Sequence, residues 1–439
     1  MKGPVLCASP ILATWALLSA PSAASGGGGR EDEDPPPPPS QVTEPEQKDE
    51  WTVYWKDGTH IDGPEARIKF GGRFMFDMGY FTGTAFENAT GEDLSDYSGA
   101  EFRRLRFFIE GEIFDNVKFK TEYDFANDQD DGEVALKDAY FEFISVWGNP
   151  RFGHFKEPFS LEELTSSRFI QFMERSTAND TIAPKRNTGA MIGDTVGGAE
   201  RATWALGFFQ DSGDNGFDQG NDWATTGRLT WLPVYASDGE RLVHLGIAAS
   251  QRPADSSDPG VDPTTNRYRA RPEAHLLPYF LDTGDFAADS SSLVNLEAAW
   301  VGGPWSLQGE YMAAATDAAQ SGDPDFSGYY VEGSWFVTGE HRAYKKSSAA
   351  FDRVVPNTTF SKDGPGAVQL ALRYSHSQYD GVVDTDGDVV PANELDDVTF
   401  GVNWHQNRNS RVMFNYVNST LESVDEPVHA FMVRFQVDF

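Results

Sequence analysis

The chain has 439 residues, of which 39% are hydrophobic and 13% aromatic, and its formal net charge at pH 7 is -33. This charge excludes a general nucleic-acid-binding protein, because binding to phosphate backbones requires a basic surface. Beyond the N-terminus, no run approaches the roughly eighteen apolar residues of a membrane-spanning helix, which excludes a helical membrane protein.

The first element is a predicted signal peptide over residues 1–25, with basic Lys2, an apolar segment and small residues near Ala24. It contains Cys7, the single cysteine, so the mature chain offers no disulfide and no thiolate metal site. Residues 26–55 are charged and rich in Gly and Pro, which predicts a disordered acidic tether. The main domain is expected over residues 56–439.

From about residue 67, apolar and polar residues alternate. The segment "RIKFGGRFMFDM" places Ile68, Phe70 and Phe74 on one face and Lys69 and Arg73 on the other. The same period continues to the terminal "AFMVRFQVDF" and predicts about sixteen strands. Short and long connections alternate, except that the long segment "HRAYKKSSAAFDRVVPNTTFSKDGPG" falls where a short turn is expected.

This pattern predicts an all-β protein, a transmembrane antiparallel β-barrel with short periplasmic turns and long extracellular loops. A barrel of sixteen strands is too wide for side chains to fill, so the polar face is expected to line a wet lumen. Large aromatic residues lie at or near strand ends on the apolar face, as in aromatic girdles: Trp231, Trp300, Trp305, Trp335, Trp404, Tyr311, Tyr374 and Tyr416. The terminal Phe439 is expected to pair with the first strand, and it resembles the signal that bacterial outer-membrane barrels present to their assembly machinery.

Longer strings point to one family. "EFRRLRFFIEGEIFDNVKFKTEYDF", "GHFKEPFSLEELTSSRFIQFMERS", "RPEAHLLPYFLDTG" and "NRNSRVMFNYVN", in this order, resemble the phosphate-selective porins O and P. The resemblance extends from about residue 67 to Phe439. It implies a sixteen-stranded outer-membrane barrel, usually trimeric, with three extracellular loops folded inward and Arg and Lys side chains that guide oxyanions. The connection over residues 157–186 matches the family's inward-folded constriction loop.

Strand parity predicts a basic stripe on one lumen wall. Six cations share the polar faces of three adjacent strands: Lys69, Arg73, Arg104, Arg106, Lys118 and Lys120. Arg103 has the opposite parity and is expected in a loop or at the interface. The alternative is simple charge balance, because Glu110, Glu112, Glu122 and Asp124 share those faces.

In the constriction loop, Arg168 and Arg175 match family positions that approach the pore. Ser166 and Ser167 offer hydroxyl hydrogen bonds to an anion. Several glutamates in the same loop support the alternative that these arginines hold the loop against the wall.

The sequence therefore predicts an outer-membrane porin for passive diffusion of small hydrophilic solutes, anion-selective and favouring phosphate or polyphosphate. A general non-selective porin and a structural barrel tethered to the cell wall stay open as alternatives. No catalytic motif is found, so neither an enzyme nor a cofactor or metal site is expected. The expected partners are inorganic phosphate or other small anions, outer-membrane lipid and lipopolysaccharide, the assembly machinery, and two further copies in a homotrimer.

Overall fold

The computed structural model describes residues 50–83, 97–126, 134–213, 216, 222–254, 264–424 and 426–439. The predicted signal peptide and most of the predicted tether lie outside the described residues. None of the helices in the described part is long and apolar enough to cross a membrane.

The described chain is built almost entirely from antiparallel strands. In chain order they are β1 (Thr52–Trp55), β2 (Thr59–Asp62), β3 (Ala66–Thr82), β4 (Tyr97–Ile113), β5 (Val117–Asp124), β6 (Ala135–Phe143), β7 (Arg151–Lys156), β8 (Arg186–Val196), β9 (Ala202–Gln210), β10 (Trp223–Ala236), β11 (Arg241–Pro253), β12 (Thr265–Asn266), β13 (Arg269–Ala270), β14 (Leu281–Asp282), β15 (Phe286–Ala287), β16 (Ser290–Gly302), β17 (Trp305–Asp317), β18 (Asp325–Phe336), β19 (Tyr344–Lys345), β20 (Ala350–Phe351), β21 (Ala367–Tyr379), β22 (Val382–Val383), β23 (Val389–Val390), β24 (Asn393–Asn407), β25 (Ser410–Leu421) and β26 (Val428–Asp438). Short helices span Leu161–Leu164 and Thr177–Ile182, and 3₁₀ turns span Ser237–Gly239 and Lys346–Ser348.

Sixteen of these strands form a closed barrel, which confirms the predicted fold. They are β3 to β11, β16 to β18, β21 and β24 to β26, each paired with the next along the chain. The last strand, β26, pairs with the first barrel strand, β3, in a register that runs from Asp438 opposite Arg73 to His429 opposite Thr82. Closure leaves no free edge among these strands, so every strand finds a hydrogen-bonding neighbour on both sides.

Apolar side chains point out of the barrel and polar side chains point into it, which is the alternation that a membrane barrel requires. On β16 the outward Leu296 and Trp300 are about half exposed, whereas the inward Asn295 and Glu297 are buried. Exposed apolar and buried polar residues reverse the order found in a soluble barrel. The outward aromatic residues Trp231 and Trp305 are likewise more than half exposed.

The terminal residue completes the barrel closure. The backbone N–H of Phe439 donates to the carbonyl of Gly72 at 3.0 Å, and the N–H of Gly72 donates back at 2.7 Å. The Phe439 ring packs edge-on against Phe74 and Phe107 at 5.5 and 6.2 Å. A Cβ added to Gly72 would lie 2.6 Å from the Arg106 carbonyl, so only glycine permits this approach. The predicted pairing of Phe439 with the first strand is confirmed.

A hairpin precedes the barrel. Strands β1 and β2 pair with each other, and β2 pairs with β3 from Arg67 to Phe70, below the point where β26 ends. The sequence predicts Thr52–Trp55 as part of the disordered tether, whereas the structure shows a strand there. The alternating "TVYW" is too short to be told from loop by its period alone.

Three connections fold into the lumen: the constriction loop (residues 157–186), the outer loop (residues 264–289) and the lower insertion (residues 337–366). The constriction loop buries Phe159 and Met173 in one cluster with Phe280 and Phe286 of the outer loop. A second cluster joins its Leu161 to residues of the lower insertion. The resemblance implied three extracellular loops, whereas the lower insertion enters from the short-turn end.

Candidate functional site

The constriction loop is attached to the barrel wall at the start of its first helix. The carboxylate of Glu310, on β17, accepts hydrogen bonds from the backbone N–H groups of Leu161 and Glu162 at 3.0 and 2.7 Å. The hydroxyl of Ser160 caps the same helix by accepting from the N–H of Glu163. These acceptors satisfy donors that the first helical turn leaves free, so the loop is locked in position.

Wall arginines hold the rest of the loop. Arg373 donates to the carbonyl of Glu174 at 3.0 Å, and Arg434 donates to the carbonyl of Met173 at 2.5 Å. Arg411 donates to the Ile170 carbonyl at 2.8 Å. All three arginines lie on β21, β25 or β26 and are buried. All three lie at alternate strand positions that face the lumen, but nothing in the sequence groups them.

The pKa values of the glutamates in the constriction loop are shifted in different directions. Burial alone would raise the pKa of Glu163, but Arg175 and Lys156 lower it well below its usual range. The pKa of Glu174 is also lowered, because Arg103, Arg104 and Arg434 outweigh its burial. The pKa of Glu162 is raised, because burial outweighs its ion pair with Arg373. The loop is therefore attached by two carboxylates that stay ionised in acid.

The six predicted stripe residues lie on the inward faces of β3, β4 and β5, and each of them is ion-paired, three at short distances. Arg73 contacts Glu122 at 2.8 Å and Arg106 contacts Asp124 at 2.6 Å. Lys120 contacts Asp138 at 2.5 Å. The remaining three have looser partners: Arg104 with Glu174 at 3.5 Å, Lys69 with Glu110 at 3.8 Å and Lys118 with Glu142 at 3.8 Å.

The predicted loop residues meet this wall at Arg73. One guanidinium nitrogen of Arg73 donates to the hydroxyls of Ser166 and Ser167, at 3.4 and 2.9 Å. The Nε of Arg168 donates to the same Ser166 hydroxyl at 3.3 Å. Arg175 instead turns back into the loop and pairs with Glu163 at 3.1 Å.

Arg168 forms no ion pair among the residues that the structure describes. Its guanidinium lies 5.6 Å from the ring centroid of Phe108 and 5.0 Å from that of Phe169. The ammonium groups of Lys69 and Lys120 lie 5.3 and 5.6 Å from the same Phe108 ring. Three cations thus surround one buried ring, which attracts them through its π face.

Arg103 requires a correction, since the sequence placed it outside the lumen. Between β3 and β4 the register shifts, with Met75 opposite Arg104 and Phe76 opposite Phe102. Arg103 is therefore the extra residue of a β-bulge, which redirects its side chain. Its guanidinium donates to both oxygens of the lumen residue Glu174, at 2.9 and 3.1 Å. Strand parity cannot reveal a bulge.

A cavity of about 820 Å³ lies between the constriction loop, the outer loop and the barrel wall, on the long-loop side. Ten basic side chains and seven acidic ones line it. The basic set is Arg103, Arg104, Arg106, Lys137, Arg175, Lys185, Arg186, Arg252, Arg267 and Arg271. Only Arg104, Arg106 and Arg175 of this set were predicted from the sequence. Lys185, Arg267 and Arg271 lie in connections, where strand parity gives no direction.

The outer loop contributes an arginine cluster to this cavity. Arg269 and Arg271 each lie 4.2 Å from the ring centroid of Tyr279. Arg267 pairs with Asp282 at 2.6 Å and keeps 38% of its side chain exposed. The string "RYRAR", with an arginine at every second residue, is the sequence signal that could have identified these positions.

A second basic cluster lies on the short-turn side of the constriction loop. Five arginines and two aspartates line it: Arg168, Arg342, Arg353, Arg408, Arg411, Asp352 and Asp438. Burial lowers the pKa of Arg342 to about 10, so this guanidinium stays charged at neutral pH. Basic residues therefore dominate on both sides of the constriction loop.

The carboxylates of the opposite wall are covered. Glu297, Glu310 and Glu332 are each at most 4% exposed, and so is Glu157 at the start of the constriction loop. Glu297 is held by Arg228 at 2.6 Å and by His244 at 2.9 Å, and Glu332 accepts a hydrogen bond from Gln171 at 2.6 Å.

The lower insertion contributes to this cover. Arg228 also donates to the carbonyl of Ala349, and His244 hydrogen-bonds the Tyr344 hydroxyl at 2.8 Å. The insertion also contacts the constriction loop, where the N–H of Phe351 donates to the Thr165 hydroxyl at 3.3 Å. The segment that interrupted the turn pattern thus fills the acidic side of the lumen.

Accessible carboxylates do remain in the lumen, each beside a cation. Glu110 lies 3.8 Å from Lys69, and Asp180 lies 3.5 Å from Lys185. Asp211 lies 3.7 Å from Arg252. At these points, a neighbouring cation neutralises the carboxylate that solvent reaches. By contrast, Arg168, Arg269 and Arg271 form no ion pair among the described residues.

A family model described as phosphate-selective porin O and P matches residues 68–439. Porin O of Pseudomonas aeruginosa is 26% identical over 415 residues, which cover 85% of this chain and 89% of that protein. An uncharacterized protein of Caulobacter vibrioides is 27% identical over 336 residues, 74% of this chain. The match spans 64% of that relative, less than two thirds of its length.

Solved structures with the same fold include the anion-selective porin from Comamonas acidovorans, at 13% identity and a TM-score of 0.52. This match covers 85% of this chain and all of that one. The trimer form of OmpT, an outer-membrane protein of Vibrio cholerae, has a TM-score of 0.51 at 12% identity, with the same coverage. At these identities the likeness shows the barrel fold alone.

Proposed function

Because the chain belongs to the phosphate-selective porin O and P family, we propose that this outer-membrane porin selects anions and favours phosphate or polyphosphate. The family consists of outer-membrane channels and not of enzymes. We base the proposed selectivity on the cations and carboxylates that line the lumen.

The main support for the proposal is that solvent reaches the cations of the lumen more readily than its carboxylates. The carboxylates of the β16–β18 wall are covered by the constriction loop and the lower insertion, as their exposure of at most 4% indicates. Cations in the outer cavity keep more of their surface, such as Arg267 at 38% and Lys185 at 48%. A permeating ion therefore meets an excess of positive charge.

These cations are spaced for transfer from site to site. Arg269 and Arg271 lie in the outer loop, Arg73 and Arg168 meet at the constriction, and Arg353 lies on the far side. Arg binds an oxyanion through a planar pair of donors, whereas Lys acts as a compact point charge. Conduction requires that each site bind weakly enough to release the ion to the next.

Single-channel recordings in planar bilayers test this proposal by measuring how strongly phosphate blocks the chloride current. Replacing Arg104, Arg106 and Lys120 together with Ala removes donors and also uncovers Glu122 and Asp124. We expect block to weaken at least tenfold, because a hydrogen bond to a charged group contributes about 1.5–3 kcal/mol.

The control is the triple Ala variant of Arg67, Arg241 and Lys362, which removes the same charge from exposed positions. This variant should keep the wild-type block. Heat-modifiable mobility on gels verifies that both variants are folded. Undiminished block in the first variant, or equal loss in both, contradicts the assignment of the stripe and favours a general, non-selective porin.

We also propose that the porin assembles as a homotrimer. The Vibrio cholerae OmpT structure, described as a trimer form, has the same fold. Native gel electrophoresis before and after heating tests this assembly: a single species at the monomer mass in both lanes contradicts it.

A further inference from the structure

Two phenylalanine rings connect cations of the barrel wall, the constriction loop and the lower insertion. Phe108 lies on the inward face of β4 and is 3% exposed. Phe169 lies in the constriction loop, next to Arg168. The guanidinium of Arg168 is 5.6 Å from the ring centroid of Phe108 and 5.0 Å from that of Phe169. The guanidinium of Arg353, in the lower insertion, is 5.1 Å from the same Phe169 ring.

The barrel wall adds two cations to this arrangement. The ammonium groups of Lys69 and Lys120 lie 5.3 and 5.6 Å from the ring centroid of Phe108. A cation within about 6 Å of a ring centroid is attracted by the negative π face of the ring. The two rings thus bring together four cations that would otherwise repel one another: Lys69, Lys120, Arg168 and Arg353.

The barrel makes room for the Phe108 ring at a lumen position. Its inward neighbours along β4 are Arg106 and Glu110, so an apolar side chain interrupts a polar face. Gly71 lies directly opposite Phe108 on β3. A Cβ added to Gly71 would be 2.4 Å from the ring, so the glycine lets the ring lie against the strand. The wall therefore fixes the ring, and the cations gather around it.

A ring and a carboxylate hold a cation with different consequences for a passing anion. The Glu122 carboxylate contacts Arg73 at 2.8 Å and cancels its charge. A phenyl ring carries a quadrupole but no net charge, so a cation that it holds stays positive. An anion can then bind that cation without displacing a carboxylate.

Arg168 is the cation of the four that depends most on the rings. Lys120 and Arg353 each contact a carboxylate as well. Arg168 forms no ion pair within the described ranges of the chain, and its guanidinium is held by the Ser166 hydroxyl and the two rings. Its position at the constriction therefore follows from the positions of the rings.

We propose that Phe108 and Phe169 are positioning residues for anion passage. Their π faces hold Arg168 at the constriction, close to the other three cations, and leave its charge available to the ion. This inference rests on the anion selectivity proposed above and names side chains that set it. The rings act through the cations, because an uncharged ring offers a phosphate no hydrogen bond.

The test replaces Phe108 or Phe169 in the full chain with phenylalanine analogues that carry one, two or three fluorine atoms on the ring. Fluorine withdraws electron density from the π face and changes the size of the ring little, so the attraction for cations weakens stepwise while packing is kept. Phosphate block of the chloride current is then recorded in planar bilayers. We expect block to weaken with each fluorine, to about threefold with three, the effect of losing a cation–π contact at a partly exposed site.

The matched control places the same analogues at Phe107, the neighbour on the outward face of β4, which is 43% exposed. These variants should keep the wild-type block. Phe108→Leu, which removes the ring, should lose at least as much block as the trifluorinated ring. Heat-modifiable mobility on gels verifies that every variant is folded.

Unchanged block with trifluorinated rings at both positions 108 and 169 overturns the inference, and so does an equal loss at position 107. The reversal potential of the wild-type channel in a potassium chloride gradient separates this result from the proposed function. A wild-type channel without anion preference contradicts the proposed selectivity and this inference with it. An anion-selective channel whose phosphate block does not respond to fluorine contradicts only the role of the rings.

Discussion

Arg168 differs from most lumen arginines in what its guanidinium contacts. Arg73, Arg106 and Arg373 are buried against carboxylates, and such pairs mainly fix structure. Arg168 contacts a hydroxyl and two aromatic rings, so its charge is not neutralised by a neighbour. A passing anion can therefore bind it without first breaking an ion pair.

Replacing Arg168 with Ala should weaken phosphate block of the chloride current about tenfold, the effect of losing one hydrogen bond of about 1.5 kcal/mol to a charged group. Single-channel recordings with increasing phosphate measure this change. The matched control is Arg67→Ala, because Arg67 is exposed and already paired with Glu112. Equal block in Arg168→Ala and wild type would remove Arg168 from the pathway.

The constriction loop is the element whose position depends most on charge. Glu163 contacts Lys156 at 2.8 Å and Arg175 at 3.1 Å, and its side chain is 3% exposed. Removing one partner from a buried ion pair costs about 3–5 kcal/mol, because the remaining charge stays buried without compensation. The loop's attachment should thus respond to a single substitution and to acid.

Glu163→Gln should lower the temperature at which the folded barrel loses its fast gel mobility at pH 7. The pKa of Glu163 is lowered in the folded state, so its stabilisation is complete above the ordinary carboxyl pKa of about 4.3 and declines as the pH falls further. The difference between variant and wild type should therefore shrink below about pH 4. Glu200→Gln, at an exposed pair with Lys346, should match wild type throughout. A pH-independent difference contradicts this role for Glu163.

The strands, in which apolar and polar residues alternate, could be predicted from the sequence, and the irregular segments could not. Alternation in "RIKFGGRFMFDM" placed Lys69 and Arg73 in the lumen, because parity alone decides the face of a strand. It misplaced Arg103, whose side chain follows a bulge. The arginines of "RYRAR" lie in a loop, where side-chain direction depends on tertiary packing. The lower insertion was recognised only as an interruption of the turn pattern.

At the scale of the whole molecule, the net charge of -33 and the basic pathway are compatible. Salt confines the field of exposed charges to about 8–10 Å at physiological ionic strength, so surface carboxylates act little on an ion inside the barrel. Under the proposed selectivity, the covered glutamates and the accessible arginines inside the barrel decide which ion enters. The central claim is therefore that local charge, and not total charge, sets the selectivity.

The most direct test is the reversal potential of the wild-type porin in a planar bilayer under a tenfold gradient of potassium chloride. Because the lumen cations are more accessible than the lumen carboxylates, we expect a potential of the sign produced by chloride permeating faster than potassium. A potential near zero, or one of the sign produced by faster potassium, would contradict it.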